Sequence, residues 1–238
     1  MEAGAGMNAS PKFPGDDPSA SAGEGYYTFS PSLAALETPA RSDPAVILHQ
    51  MAAELLAQQV DQGRRGVAIC GPSRGVGVTL IATNLAIAIA RAGVSVLLVD
   101  ANLHTPGVDA LIKPSLPPIG LQQLLMSPDE SVAEVIHQDV LPGLSVLYSG
   151  GPADAPSDLI GSKACEGVIG ECLRDYEYTI VDTPAANRSA DARRLAGIVG
   201  YGLIVARRNL SYLDDVATLA GELTEDRANV VATLLNDA

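Results

Sequence analysis

The sequence predicts an α/β fold built on a doubly wound, mostly parallel sheet, and three observations predict it. Short apolar runs alternate with stretches whose apolar residues fall on helical spacing, the signature of βαβ units whose sheet is covered on both faces. A glycine-rich loop, within GPSRGVGVTLIATNLA at 71–86, joins the first run to the first long helical stretch. Two later runs end on an aspartate, Asp100 and Asp182.

Taken in order, residues 1–43 are over half Ala, Gly, Ser and Pro, with little periodic apolar pattern. Such a composition buries too little surface to offset the entropy of ordering, so a disordered arm is expected. Its Tyr26, Tyr27 and Phe29 read as aromatics in a tail, or else as a docking or phosphorylation motif. The domain follows over 44–238 and opens on an amphipathic helix at 44–59, where Val46, Ile47, Met51, Leu55 and Leu56 share helical spacing. Strands are expected at 67–70, 95–100, 144–148, 178–182, 202–206 and 229–235. Helices are expected at 79–92, 162–175, 191–197 and 212–223, with shorter ones at 121–126 and 131–138. Leu80, Ile81, Leu85, Ile87 and Ile89 line the helix that follows the loop and pack it on the sheet. Right-handed crossovers place every carboxyl end of the parallel strands on one edge, where ligands of such sheets bind.

The chain has 238 residues, 47% of them hydrophobic, enough for one full-sized core. Its formal charge of −13 argues against nucleic acid and against direct contact with an anionic membrane. Three cysteines and no basic-then-apolar amino terminus fit a reducing, cytoplasmic setting. Cys165 and Cys172 share one face with Val168 and Ile169, and Cys70 sits in a strand, so all three are expected in the core. His49, His104 and His137 lack the spacing of zinc ligands; only His104, just after Asn102, has a claim on the site.

The loop is of P-loop NTPase-like type. Gly75 and Gly77 let backbone N–H groups approach an anion at the start of a helix, and Thr79 offers a hydroxyl to Mg²⁺. The expected cofactor contacts are Arg74, Gly75, Val76, Gly77, Val78, Thr79 and Leu80, for ATP or ADP with Mg²⁺. Thr79, Asp100 and Asp182 are the candidates to hold the metal or its waters, although either aspartate alone could simply cap the next helix. Val78 stands where nucleotide hydrolases of this type carry the lysine that faces the β- and γ-phosphates. A lost charge-assisted hydrogen bond costs about 1.5–3 kcal/mol, or about 10- to 100-fold in affinity. Binding is therefore expected to be weakened or absent, and phosphoryl transfer to suffer more, because its transition state depends on the same charge. Arg74 is the loop cation long enough to stand in for the lysine.

VLLVDANLHTPGVDALI (96–112), GLQQLL (120–125), LPGLSVLYSGGPADAPSDLIGS (141–162), YEYTIVDTPAANRSADARRLA (176–196) and NVVATLLND (229–237) follow one another in an order that resembles bacterial tyrosine kinases of capsule and exopolysaccharide synthesis. These belong to the P-loop ATPases that include MinD and ParA. The resemblance implies that Gly75, Gly77 and Thr79 lie in the Walker A loop, that Asp100 heads the Walker A′ motif and that Asp182 is the Walker B aspartate. It also implies a membrane-anchored polysaccharide co-polymerase as partner, through which a cytoplasmic chain is recruited to the inner face of the cell membrane.

Departures from the pattern fall at the chemistry. Val78 replaces the Walker lysine. Asn102 replaces the second aspartate of the A′ motif, making the pair Asp100 and Asn102 a degenerate catalytic set, and His104 and Thr105 replace the usual basic pair. The last residues carry no tyrosine cluster to accept phosphate. The Glu and Arg series expected for ring assembly is reduced to Glu54, Arg64 and Arg65. A pseudokinase that regulates or scaffolds polysaccharide synthesis is the leading expectation. The alternatives are an active kinase or ATPase with a substitute cation, or a MinD/ParA-like positioning ATPase. Ser73, where that last class places an extra loop lysine, counts against it.

Overall fold

The computed structural model describes residues 27–36, 44–59, 64–127 and 130–237. In chain order these form β1 (Tyr27–Phe29), a 3₁₀ turn (Ala34–Leu36), α1 (Pro44–Gln59), β2 (Gly66–Cys70), α2 (Val78–Arg91), β3 (Val96–Asp100), α3 (Val108–Leu111), β4 (Ile112–Pro114), α4 (Leu121–Met126) and α5 (Val132–Val135). They continue with β5 (His137–Leu141), β6 (Leu144–Leu147), α6 (Pro156–Ile160), α7 (Lys163–Asp175), β7 (Tyr178–Asp182), α8 (Asp191–Val199), β8 (Tyr201–Arg207), α9 (Leu213–Glu225) and β9 (Asn229–Asn236).

The main sheet has the order β5-β6-β3-β7-β2-β8-β9 and is parallel apart from β5. Every strand expected from the sequence lies in it. Alternate residues feed two cores: Val67, Ile69, Val96 and Leu98 pack towards α1 and α2, while Ala68, Cys70, Leu97 and Val99 pack towards α4, α7, α8 and α9. This two-sided burial is what a doubly wound sheet requires, and it explains the unbroken apolar runs. The three cysteines are buried as expected. Among the described residues, no helix is long and apolar enough to cross a membrane.

Three local expectations are corrected. Residues 27–36 lie in the stretch whose composition suggests disorder, yet β1 pairs antiparallel with β4 through Phe29 and Ile112. Leu33 and Ala35 are buried in the same core as α2, and Asn84 Oδ1 accepts the Ala35 N–H at 2.9 Å. Tyr27, Phe29, Leu33 and Leu36 supply an apolar cluster that an average over 43 residues dilutes. The rest of the arm, including Tyr26, lies outside the described residues. The helix expected at 131–138 is a single turn, α5, followed by β5, which returns as a hairpin onto β6 through Gly143 at φ 79°. Hairpin pairing outweighs the helical spacing of Val132, Val135 and Ile136. On α1 the buried face is Ala45, Leu48, Ala52 and Leu55, which leaves Ile47 55% exposed.

Candidate functional site

β2 is buried along its whole length between β7 and β8, so the chain turns only on reaching the carboxyl edge of the sheet. Gly75 and Gly77 there adopt φ of 80° and 100°, a region that favours glycine. A Cβ on Gly77 would also run into the Asn236 side-chain amide. The loop is moored from the neighbouring strands: Arg207 Nη1 donates to the Gly75 carbonyl and Asn236 Nδ2 to the Val76 carbonyl, both at 2.9 Å. Among the described residues no side chain caps α2, and no acid lies in its first turn, which leaves this helix N-terminus able to receive an anion.

A cleft of about 320 Å³ surrounds the loop, lined by residues 73–80 with Asn102, Thr105, Pro106, Thr183 and Ala185. All seven residues expected to contact a cofactor are therefore brought together. Val78 is half-buried: it packs against the core, with its Cγ2 2.6 Å from where a Cβ on Gly71 would stand, and it also lines the cleft, which stays open beside it. A larger cavity of about 860 Å³ lies away from this edge, by α8 and the end of α9. Its Arg193 is committed to Glu222 and Asp226, so it holds less promise for chemistry than the smaller cleft.

Asp100 and Asp182 end adjacent strands in register and are wholly buried. Asp100 Oδ1 accepts the Asn102 N–H at 3.2 Å, and Oδ2 accepts those of Gly107 and Val108 at 3.1 Å each. Burial pushes its pKa up to about 6, against the pull of these N–H groups. Asp182 Oδ2 accepts the Thr79 hydroxyl at 2.7 Å, whereas Oδ1 is buried with no hydrogen-bond partner among the described residues. Burial, and then the charge of Asp100, push the Asp182 pKa well up, opposed by the Thr79 hydroxyl and the Thr183 N–H.

An orphaned carboxylate oxygen beside a threonine hydroxyl fits a small hard cation, which would neutralise the buried charge. Thr79 and Asp182 are the residues that would hold Mg²⁺, and the ion would supply charge neutralisation at a bound phosphate. Asp100, the third candidate, accepts three N–H groups of the loop that follows it. Asn102 lines the cleft, but its Oδ1 accepts the Thr105 N–H at 3.1 Å.

A second pocket of about 210 Å³ shares Arg74, Thr105 and Ala185 with the cleft and adds His104, Pro184 and Arg188. His104 Nε2 lies 2.7 Å from Oδ2 of the buried Asp191, which also accepts the Ser157 hydroxyl at 2.8 Å. Sequence reasoning missed Arg188, Arg207, Asn236 and Asp191. The available signal for Arg188 was its place in the loop after β7, which the topology returns to the same edge. Arg64 and Arg65 are engaged within the chain: Arg64 lies 4.5 Å from the Tyr201 ring centroid, and Arg65 Nη1 donates to the Arg174 carbonyl at 3.0 Å.

No protein-family model matches the chain. The putative tyrosine-protein kinase EpsB of Ralstonia solanacearum is 29% identical over 195 residues, 82% of this chain and 26% of the relative. The chain thus spans about a quarter of the length of the first curated relatives it matches. The kinase domain of the Escherichia coli tyrosine kinase ETK superposes with a TM-score of 0.74 at 26% identity, over 83% of this chain and 77% of that one. The cell division ATPase MinD of Pyrococcus furiosus shares the fold, with a TM-score of 0.63 at 22% identity over 73% and 72% of the two chains. In sequence and fold the chain is similar to bacterial tyrosine-protein kinases, and its fold is that of the MinD-like P-loop ATPases.

Proposed function

We propose that this chain is a tyrosine-kinase-like regulator or scaffold of surface polysaccharide synthesis and export, with little or no phosphoryl transfer of its own. It works through a membrane-anchored polysaccharide co-polymerase, which brings a cytoplasmic protein to the inner face of the membrane. The observation that carries this reading is Val78, an apolar side chain packed on the core at the lysine position of an otherwise complete phosphate loop. Phosphoryl transfer needs positive charge on the transferring group at the moment of reaction, and valine supplies none. Asn102 adds to the argument: it is uncharged, and its oxygen is taken up by the Thr105 N–H.

A second reading, an active kinase with a substitute cation, is favoured by the presence of Arg74 in the cleft lining. The two readings separate in a phosphorylation assay with γ-labelled Mg-ATP and a tyrosine copolymer, run on the wild type and on Val78→Lys. The wild type is expected to transfer label at least about 100-fold more slowly than an active variant of this type. Mg²⁺-dependent tyrosine labelling by the wild type at a rate matching the lysine variant overturns the first reading.

A further inference from the structure

We infer that Arg188 and Arg74 together form a phosphate subsite at the mouth of the loop cleft, one that holds the terminal phosphate of a Mg²⁺-nucleoside triphosphate from its outer side without replacing the charge that Val78 lacks between the β- and γ-phosphates, so that nucleotide is retained but not turned over. The inference rests on reading the cleft as a nucleotide site. The two pockets share Arg74, Thr105 and Ala185, so a ligand whose inner phosphates lie on the loop N–H groups extends its outer phosphate towards both arginines.

The surroundings select for an anion. In a chain of net charge −13, this pocket is lined by two arginines and a histidine, with no carboxylate. Among the described residues neither Arg74 nor Arg188 has a side-chain hydrogen bond or ion pair. Arg193 and Arg208, in contrast, are paired with acids, and Arg207 is occupied by the Gly75 carbonyl. His104 is anchored through Nε2 on Asp191. Guanidinium groups match phosphate oxygens in a two-pronged geometry, so an unpaired pair facing one small pocket is suited to a phosphate group.

The backbone fixes Arg188 with respect to the loop. The Ala186 N–H donates to the Gly71 carbonyl at 2.9 Å and the Asn187 N–H to the Pro72 carbonyl at 3.2 Å, while the Arg188 N–H closes a turn on the Ala185 carbonyl at 3.1 Å. The segment carrying Arg188 is thus docked on the start of the phosphate loop, and its position does not depend on the long side chain finding the site from afar. Arg188 comes from a separate loop, so it can approach the outermost phosphate without displacing Val78 from the core.

The test is calorimetric titration of the full chain with Mg-ATP, Mg-ADP and inorganic phosphate, for the wild type, Arg188→Gln and Val78→Lys. The wild type should prefer Mg-ATP, and Arg188→Gln should weaken Mg-ATP about tenfold while leaving Mg-ADP within about twofold. An unchanged preference in Arg188→Gln, or an equal loss for both nucleotides, overturns the subsite. So does wild type that binds inorganic phosphate through Arg188 but shows no preference for Mg-ATP. A wild type that binds neither nucleotide, beside a lysine variant that does, also overturns it while leaving the proposed lack of phosphoryl transfer intact; that proposal falls only to the labelling assay.

Discussion

Asp182 stands directly opposite Asp100 in the register of β7 and β3, two buried carboxylates side by side, Asp100 with both oxygens bonded and Asp182 with one oxygen bare among the described residues. The folded state raises both pKa values above those of the unfolded chain, so it binds more protons over the window between them. By linkage, the stability these groups contribute is fully present below the unfolded carboxylate range, about pH 4. It is lost as pH rises through the folded values, which for Asp100 means about 6. Asp182→Asn should therefore raise the Tm in chelator at neutral pH, by about 2–4 °C for each kcal/mol relieved, with the gain vanishing near the acid limit. Thermal melts across pH, with and without Mg²⁺, check this; an Asn variant less stable than the wild type at neutral pH contradicts it.

Val78→Lys places a cation in an open cleft. Its affinity for Mg-ADP should rise about 10- to 100-fold, the worth of one charge-assisted hydrogen bond. Equilibrium titration reads this directly, and a variant no tighter than the wild type would mean that the loop N–H groups are not aimed at a phosphate.

Gly120 is held against backbone: a Cβ there would collide with Tyr148 O and Gly150 N and lie 2.7 Å from the Ser149 carbonyl carbon. Backbone cannot step aside as a flexible side chain can. Gly120→Ala should cost about 1–3 kcal/mol or more, measured by denaturant unfolding, and the Leu121 N–H bond to the Tyr148 carbonyl, at 2.8 Å, should loosen in hydrogen exchange.

Leu33 tests whether the segment before α1 belongs to the folded unit. It is buried in the core that α2 shares, and Leu33→Ala should destabilise the whole domain by about 2–5 kcal/mol. A loss below about 0.5 kcal/mol, the range of ordinary surface substitutions, would show that the segment docks only loosely.

The three thiols should be inert in the native protein. Burial pushes Cys70, Cys165 and Cys172 up to about 12, leaving almost no thiolate at pH 8. A colorimetric thiol reagent should find none in the native chain and all three after denaturation.

The sheet was legible because strands buried on both faces must be apolar at every position, as Val96 to Val99 are, and the turn into α2 was legible because its glycines cluster within seven residues, 71–77, at the end of an apolar run. β1 was not, since its stability comes from pairing Phe29 with Ile112, a long-range contact that no window of local composition contains. The site divides in the same way. Gly75, Gly77, Thr79 and Asp182 announce themselves through local motifs, and Thr79 and Asp182 do meet. Arg188 and Arg207 reach the loop because β7 and β8 flank β2, and Asn236 because β9, beside β8, ends on the same edge. An arginine in a polar loop carries no periodic pattern that would mark it. Asp100, read from its motif as a metal or catalytic group, has its oxygens committed to backbone N–H groups, a role set by how the following loop folds back.

The mooring of the phosphate loop gives the rim of the sheet a say in what happens at its centre. Among the described residues β9 pairs with β8 alone, and Asn236, at its last position, is the group that grips the Val76 carbonyl. Fraying of an edge strand begins at its ends, so the first residue to peel away takes with it one of the side-chain bonds that hold the loop. The stiffness of the anion cradle is thus partly on loan from an edge strand, and any contact that zips up that margin tightens the cradle without touching it.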